Sequence, residues 1–231
     1  MTNKKTQEPL NQIEYDTYME KGPVKIGPWT SWMWRDDPKH LSFMLARYKF
    51  CSKLLDGKER VLEIGCGDAF GVSIILQVVK EVHCVDIDPL VIEESRKVLD
   101  KELLERIKFS IMDFTKQKIE ENVEAVYSLD CFEHIPKERE SYFFNNICNI
   151  LPNNGVCIIG VPNKDAEKFA NEMNIQGHIN LKTAKELKEL MLKHFENVFI
   201  FSMNDEVVHT GFYGMAHYLF ALGVGKKSDK Y

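Results

Sequence analysis

The chain has no C-x-x-C pair among its six cysteines, Cys51, Cys66, Cys84, Cys131, Cys148 and Cys157. That spacing is what a zinc or redox site would use. Several of these thiols sit inside apolar runs, where cysteine acts as a small buried hydrophobe. Reduced cysteines and a cytoplasmic setting are the consistent expectation. No apolar stretch approaches the length of a membrane span, and Met1 to Asn11 is polar, without a signal core. There is no basic stripe: 30 Lys and Arg stand against 35 Asp and Glu, a net charge of −5. A nucleic-acid partner is therefore disfavoured. Internal repeats and low-complexity tracts are missing too. With 231 residues the chain is long enough to bury a substantial core.

What is present begins at Val61-Leu62-Glu63-Ile64-Gly65-Cys66-Gly67-Asp68-Ala69-Phe70-Gly71. An apolar strand runs into a glycine-rich turn and then into an apolar helix-like stretch. Gly65 and Gly67 let the backbone turn sharply and lie close to a ligand. N–H groups at the following helix start can hold polar ligand groups. Cys66 reads as a small residue within the turn, not a nucleophile. Next, Glu81 to Val85 ends in Asp86-Ile87-Asp88-Pro89. An acid about 20 residues after a glycine turn is placed to accept from ribose hydroxyls. Asp88 before Pro89 is a helix N-cap followed by proline at the first helical position. Ile107 to Ile111 leads to Met112-Asp113-Phe114, and Val123 to Leu129 leads to Asp130-Cys131-Phe132-Glu133-His134-Ile135-Pro136. Successive strands thus end in acids or polar clusters, and open parallel sheets bind ligands beyond those strand ends.

The remaining elements follow from periodicity. A helix is expected from Pro38 to Leu55, with Leu41, Met44, Leu45, Tyr48, Cys51 and Leu55 on one face. Further helices are expected near 70–79, 89–100, 136–150 and 183–194. Thr183 and Glu186 form a capping-box pattern at the last of these. Gly155 to Val161 reads as a strand, and Phe195 to Ser202 with Ala216 to Val224 as a final pair. Lys226 and Lys227 read as a soluble tail. Residues 1 to about 12 read as disordered. Residues 13 to 37 carry all three tryptophans, Trp29, Trp32 and Trp34, and are broken by Gly22-Pro23 and Gly27-Pro28. They are expected to form an irregular aromatic flap. The division is thus a tail and flap over 1–37 and a catalytic domain over 38–231.

The motifs LEIGCGDAFG, VDIDP, MDF and SLDCFEHIP, with Leu151 to Asn163 and Gly177 to Met191 behind them, resemble those of the class I S-adenosylmethionine-dependent methyltransferases that act on small molecules. The resemblance runs from about residue 38 onward. It implies an α/β fold: a Rossmann-like, seven-stranded, mostly parallel sheet with an antiparallel last strand and helices on both faces. It also implies S-adenosylmethionine as cofactor. Gly65, Cys66 and Gly67 would present backbone to its methionine part. Glu63 would position the turn, with its carboxylate near the amino group. Asp86 would take the ribose hydroxyls and Ile87 the adenine face. Asp113 would accept from the adenine amine, with the Phe114 N–H at a ring nitrogen. Leu129 and Asp130 would lie beside the methionine part. The flap would lie over the cofactor mouth, where an aromatic face gains about 1 kcal/mol against a sulfonium.

Methyl transfer from a sulfonium is an in-line displacement, so nucleophile, carbon and sulfur must be aligned and water excluded. A hydroxyl acceptor also needs a base, worth roughly 10²–10⁴-fold, and histidine is the commonest near neutral pH. His134 and His178 are the candidates; His40 and His209 are also suggestively placed. Ser202 to Glu206 and Gly160 to Asn163 offer polar groups for a hydroxylated metabolite such as a sugar or glycan precursor. Arg35, Lys39, Arg47 and Lys164 are available to an anionic group. The tail and aromatic N-terminal segment also resemble members linked to surface-polysaccharide synthesis. No metal is expected, because no clear ligand set stands out. Two rival readings remain: a nicotinamide (NAD(P)) oxidoreductase on the same kind of domain, and a non-catalytic protein that binds S-adenosylmethionine.

Overall fold

A computed structural model of the chain describes residues 4–169 and 176–227. Its centre is one mixed sheet of eight strands. In chain order these are β1 (Arg60–Ile64), β2 (Glu81–Asp86), β3 (Ile107–Ile111), β4 (Ala125–Leu129), β5 (Val156–Pro162), β6 (Phe195–Asn204), β7 (Val207–His209) and β8 (Tyr218–Lys226). Their spatial order is β3-β2-β1-β4-β5-β8-β6-β7. The first five are parallel neighbours, and β8, β6 and β7 are added antiparallel. This is a Rossmann-like fold, with eight strands instead of the expected seven. The extra strand is β7, which turns back on β6 through Asp205, at φ +49.

The helices are α1 (Asn11–Lys21), α2 (Pro28–Asp36), α3 (Pro38–Leu55), α4 (Val72–Ile75), α5 (Pro89–Val98), α6 (Lys101–Leu104), α7 (Glu140–Ile150) and α8 (Ala184–Met191). The long amphipathic helix α3 has the bounds its periodicity predicts. The capping box at Thr183 and Glu186 is formed in both directions, and Asp88 caps α5 with Pro89 behind it. Two buried clusters cover the two faces of the sheet. One packs α7 and α8 on it through Phe143, Phe144, Ile147, Leu187 and Met191. The other packs α3 and α4 through Tyr48, Cys51, Leu55, Val72 and Ile75.

Four expectations are corrected. Residues 13–37 are not irregular but form two helices. Gly22, at φ +78, terminates α1, and Gly27 precedes α2 with Pro28 in its first turn. The Gly-Pro pairs mark helix boundaries and leave the segments between them helical. For the same reason the expected disorder of residues 1–12 does not hold at Asn11 and Gln12, while Met1 to Asn3 lie outside the described residues. The helix expected over 70–79 shrinks to four residues. That stretch is rich in β-branched Val and Ile, which lose side-chain freedom in a helix. Its last carbonyls, on Leu76 and Val79, instead accept from the Arg106 guanidinium at 2.7 and 2.6 Å. Finally, Lys226 belongs to β8 and is not tail, and the Lys227 ammonium donates to the Leu192 carbonyl.

Candidate active site

The parallel register brings the carboxyl ends of β1, β2 and β3 level, with Ile64 beside Val85 and Asp86 beside Ile111. A cavity of about 780 Å³ opens there. Its floor is the glycine turn. Gly65 has φ +77, and a Cβ on it would stand 2.5 Å from the Cys131 side chain, so only glycine lets the two loops meet. The Gly67 N–H donates to Asp86 Oδ2 at 2.9 Å, and the Asp88 N–H donates to Asp86 Oδ1 at 3.0 Å. Each oxygen of an ionised carboxylate has two acceptor positions. Asp86 therefore holds the turn and keeps capacity for further donors.

Of the predicted site residues, Gly65, Cys66, Gly67, Asp86, Ile87, Asp113, Phe114, Leu129, Asp130 and His134 all line this cavity. Asp113 is partly engaged by its own loop. Its Oδ1 accepts from the Thr115 N–H and hydroxyl, and its Oδ2 meets Lys116 at 2.7 Å. Burial pushes this carboxyl up, but Lys116 and Thr115 outweigh it and hold it below the usual carboxylate range. Phe114 is buried, and its carbonyl accepts from the Asn146 amide at 2.7 Å.

Glu63 does not line the cavity. It is buried beneath the turn and accepts from the Tyr48 hydroxyl at 2.6 Å and the Tyr127 hydroxyl at 2.9 Å. Its neighbours are phenols and thiols, with no cation in contact. Burial raises its pKa to about 8, against the lowering effect of the two tyrosines. The structure thus places Glu63 under the floor of the turn, held by two phenols.

Asp130 stands at the end of β4 in the left-handed region, φ +51. Its Oδ2 pairs with Arg47 at 2.5 Å, and the Arg47 guanidinium lies 3.9 Å from the centre of the Tyr218 ring. Burial works against the Arg47 charge, but Asp130 prevails and its pKa is raised. Arg47 is therefore committed to Asp130. Lys164 is likewise paired, with Glu186 at 3.2 Å. The polar stretches proposed for a substrate are largely used internally. The Asn163 amide donates to the carbonyls of Tyr213 and Ala216, and the Ser202 hydroxyl meets His209.

His134 lines the cavity and His178 does not, but the two rings come together behind its wall with centres 5.1 Å apart. His134 follows β4 in the turn Phe132–His134, and its Nδ1 lies 2.9 Å from the Gly177 carbonyl oxygen. The Asn180 N–H donates to the Glu133 carbonyl at 2.9 Å, so the 177–180 segment is tied to that turn at two points. Burial and the neighbouring His134 lower the His178 pKa. His209 bonds to Ser202 and Gly211, and neither it nor His40 lines the cavity.

Sequence reasoning did not assign Thr30, Asp68, Tyr48 or Arg139 to the site, yet all four line the cavity. Asp68 is the least expected. It accepts from the Thr30 N–H at 2.8 Å and the Thr30 hydroxyl at 2.9 Å, which fastens the start of α2 onto the glycine turn. Gly27 makes this fit possible, since a Cβ there would stand 2.4 Å from the Asp68 Cβ. Trp29 then sits over the turn, 3.2 Å from where a Cβ on Gly67 would be. Trp29, Trp32 and Trp34 are all exposed, and of the three only Trp29 lines the cavity. The only signal for this contact in the sequence is the crowding of aromatics near Gly27-Pro28.

Residues 61–155 match a family model described as a methyltransferase domain. No curated protein matches the chain significantly. Among solved structures, the methyltransferase domain of bacterial CtHen1 is 16% identical, with a TM-score of 0.65 over 79% of this chain and 99% of that one. The N-methyltransferase NodS from Bradyrhizobium japonicum, in complex with S-adenosyl-L-homocysteine, is 15% identical, with a TM-score of 0.59 over 84% and 91%. The DhpI complex with the same nucleoside, abbreviated SAH, is 14% identical, with a TM-score of 0.58 over 95% and 93%. At such identities the structures share a fold only. Residues 61–155 thus match a methyltransferase domain, and the chain as a whole has the fold of S-adenosylmethionine-dependent methyltransferases.

Proposed function

We propose that the chain binds S-adenosylmethionine in this cavity and transfers its methyl group to a hydroxyl oxygen of a small metabolite, such as a sugar or glycan precursor. The observation that carries the reading is the Asp86 carboxylate, bonded to the Gly67 N–H at the cavity floor. It is an acceptor with spare capacity one strand away from a backbone cradle, which suits the two hydroxyls of a ribose. In this reading the methionine part lies along Gly65, Cys66 and Gly67 beside Leu129 and Asp130. The adenine lies between Ile87 and the Asp113–Phe114 loop. Residues up to 37 act as a cap and the rest as the catalytic domain. Trp29, over the turn, gives the sulfonium an aromatic neighbour.

The oxygen acceptor is supported by the two neighbouring imidazoles, His134 and His178. A neutral imidazole accepts the hydroxyl proton as the C–O bond forms, and the sulfur keeps the electrons of the broken C–S bond. An amine acceptor, which NodS takes as an N-methyltransferase by its description, would need less help. The test has two stages. Thermal shifts with S-adenosylmethionine against NADH check the cofactor, since a ligand stabilises only the protein that binds it. Incubation with labelled cofactor and nucleotide-sugar or phosphometabolite pools then reveals any product that has gained one CH₂. Cofactor binding without transfer across the panel would leave the non-catalytic reading.

A further inference from the structure

Beside His134, a residue of the cavity wall, stands a group that methyl transfer from the cofactor does not by itself require. Glu133 is fully buried (0% exposed), and neither of its carboxylate oxygens has a hydrogen-bond partner. The nearby Arg47 guanidinium makes its ion pair with Asp130 and not with Glu133. A buried carboxyl with no donor is costly and calls for a physical reason.

The reason is in its surroundings. One ligand atom each from Glu133, His134 and His178 lies within 4.8 Å of the other two. The tautomer of His134 is set, because its Nδ1 faces the Gly177 carbonyl, which can only accept. Nδ1 therefore carries the hydrogen and Nε2 the lone pair. A ligating histidine usually has this support, donating its other N–H to a carbonyl or carboxylate. The loop that supplies His178 is fixed at its far side. The Asn180 amide and the Lys182 ammonium both converge on Glu140 Oε1, at 2.9 and 2.7 Å.

We propose that Glu133, His134 and His178 form a binding site for a first-row transition-metal dication at the acceptor end of the cavity. Two imidazole nitrogens and one carboxylate oxygen suit Mn²⁺, Fe²⁺, Co²⁺ or Zn²⁺ better than Mg²⁺ or Ca²⁺, which favour all-oxygen sets. Three protein ligands leave positions open for an acceptor oxygen. The inference rests on the hydroxyl-acceptor reading above and puts the cation in place of its imidazole base. With the cation bound, the imidazoles serve as ligands and not as free bases. The cation lowers the pKa of the hydroxyl it holds, and the proton passes to water. The oxygen lone pair then forms the C–O bond as the C–S bond breaks toward sulfur.

The test is titration of the full chain with Mn²⁺, followed by the paramagnetic resonance of free Mn²⁺, and with Zn²⁺ by calorimetry. The wild type is expected to take up one dication per chain. Glu133→Gln and His178→Ala are each expected to weaken uptake at least about tenfold. His178 is only partly buried, so its truncation leaves the core intact, and SAH should still raise the thermal midpoint of that variant. Uptake of neither metal by wild-type protein that SAH stabilises, or unchanged uptake by both variants, overturns the cation site and leaves the cofactor reading in place. Metal uptake sensitive to both variants, without any response to SAH, supports the site and counts against the cofactor.

Discussion

Two acids beside the glycine turn divide two tasks. Asp86 reaches the cavity and holds the Gly67 N–H. Asp86→Ala removes both that bond and the proposed ribose acceptor, so cofactor affinity should fall by at least about tenfold, an amount that a charge-assisted hydrogen bond accounts for. Calorimetry with SAH checks it, and unchanged affinity would remove Asp86 from the site. Glu63 works from below. Its folded pKa of about 8 lies above the ordinary 4.5, so between those values the folded chain holds a proton that the unfolded chain has lost. The stability this group contributes is complete below pH 4.5 and is lost as the pH rises through 8. Glu63→Gln cannot ionise, so its melting temperature should fall less than that of the wild type between pH 5 and 8. Parallel curves for the two proteins would show that Glu63 is ionised in the folded state throughout.

At the scale of elements, α2 is held to the site chiefly through its first turn. The Thr30 N–H and hydroxyl both meet Asp68, and this acid faces the positive end of the helix. Thr30→Val keeps the shape and loses the hydroxyl bond to a charged acceptor, worth about 1.5–3 kcal/mol. Hydrogen exchange should show α2 amides opening faster in that variant while strands β1 to β5 keep their protection. Equal slowing of exchange in both proteins would mean that other contacts hold α2. Gly27→Ala should have a larger effect of the same kind, because its Cβ would overlap the Asp68 side chain. The paired Gly-Pro steps explain why the segment was read as irregular. Helix breakers show where helices end, but they do not exclude short helices between them.

For the whole molecule, the antiparallel edge and α3 are one packing unit. The Phe220 ring, fully buried on β8, lies 4.6 Å from the centre of the Phe50 ring of α3 and 5.1 Å from that of Tyr218. Tyr218 in turn stacks under Arg47, which pairs with Asp130 at the end of β4. Phe220→Ala should cost about 3–5 kcal/mol, the range for truncating a buried aromatic, and denaturant unfolding measures it. It should also weaken cofactor binding indirectly, since the helix that carries Tyr48 and Arg47 loses its seat. Loss of stability with cofactor affinity untouched would show that edge and site are independent.

The strand ends and their acids were legible because they depend on local rules. Period-two and period-3.6 patterning, an N-cap before proline and a capping box act over a few residues, and the parallel sheet follows from their alternation. Gly65, Asp86, Asp113 and Asp130 could be placed on one rim because every parallel strand of such a sheet delivers its carboxyl end to the same side. What depends on distant residues meeting was decided only by the tertiary structure. Glu63 faces two tyrosines from α3 and β4, Asp68 takes the start of α2, and His178 closes on Glu133 and His134 from far along the chain. Burial raises the Glu63 pKa and lowers that of His178, and burial belongs to the packed fold, not to any local run of residues.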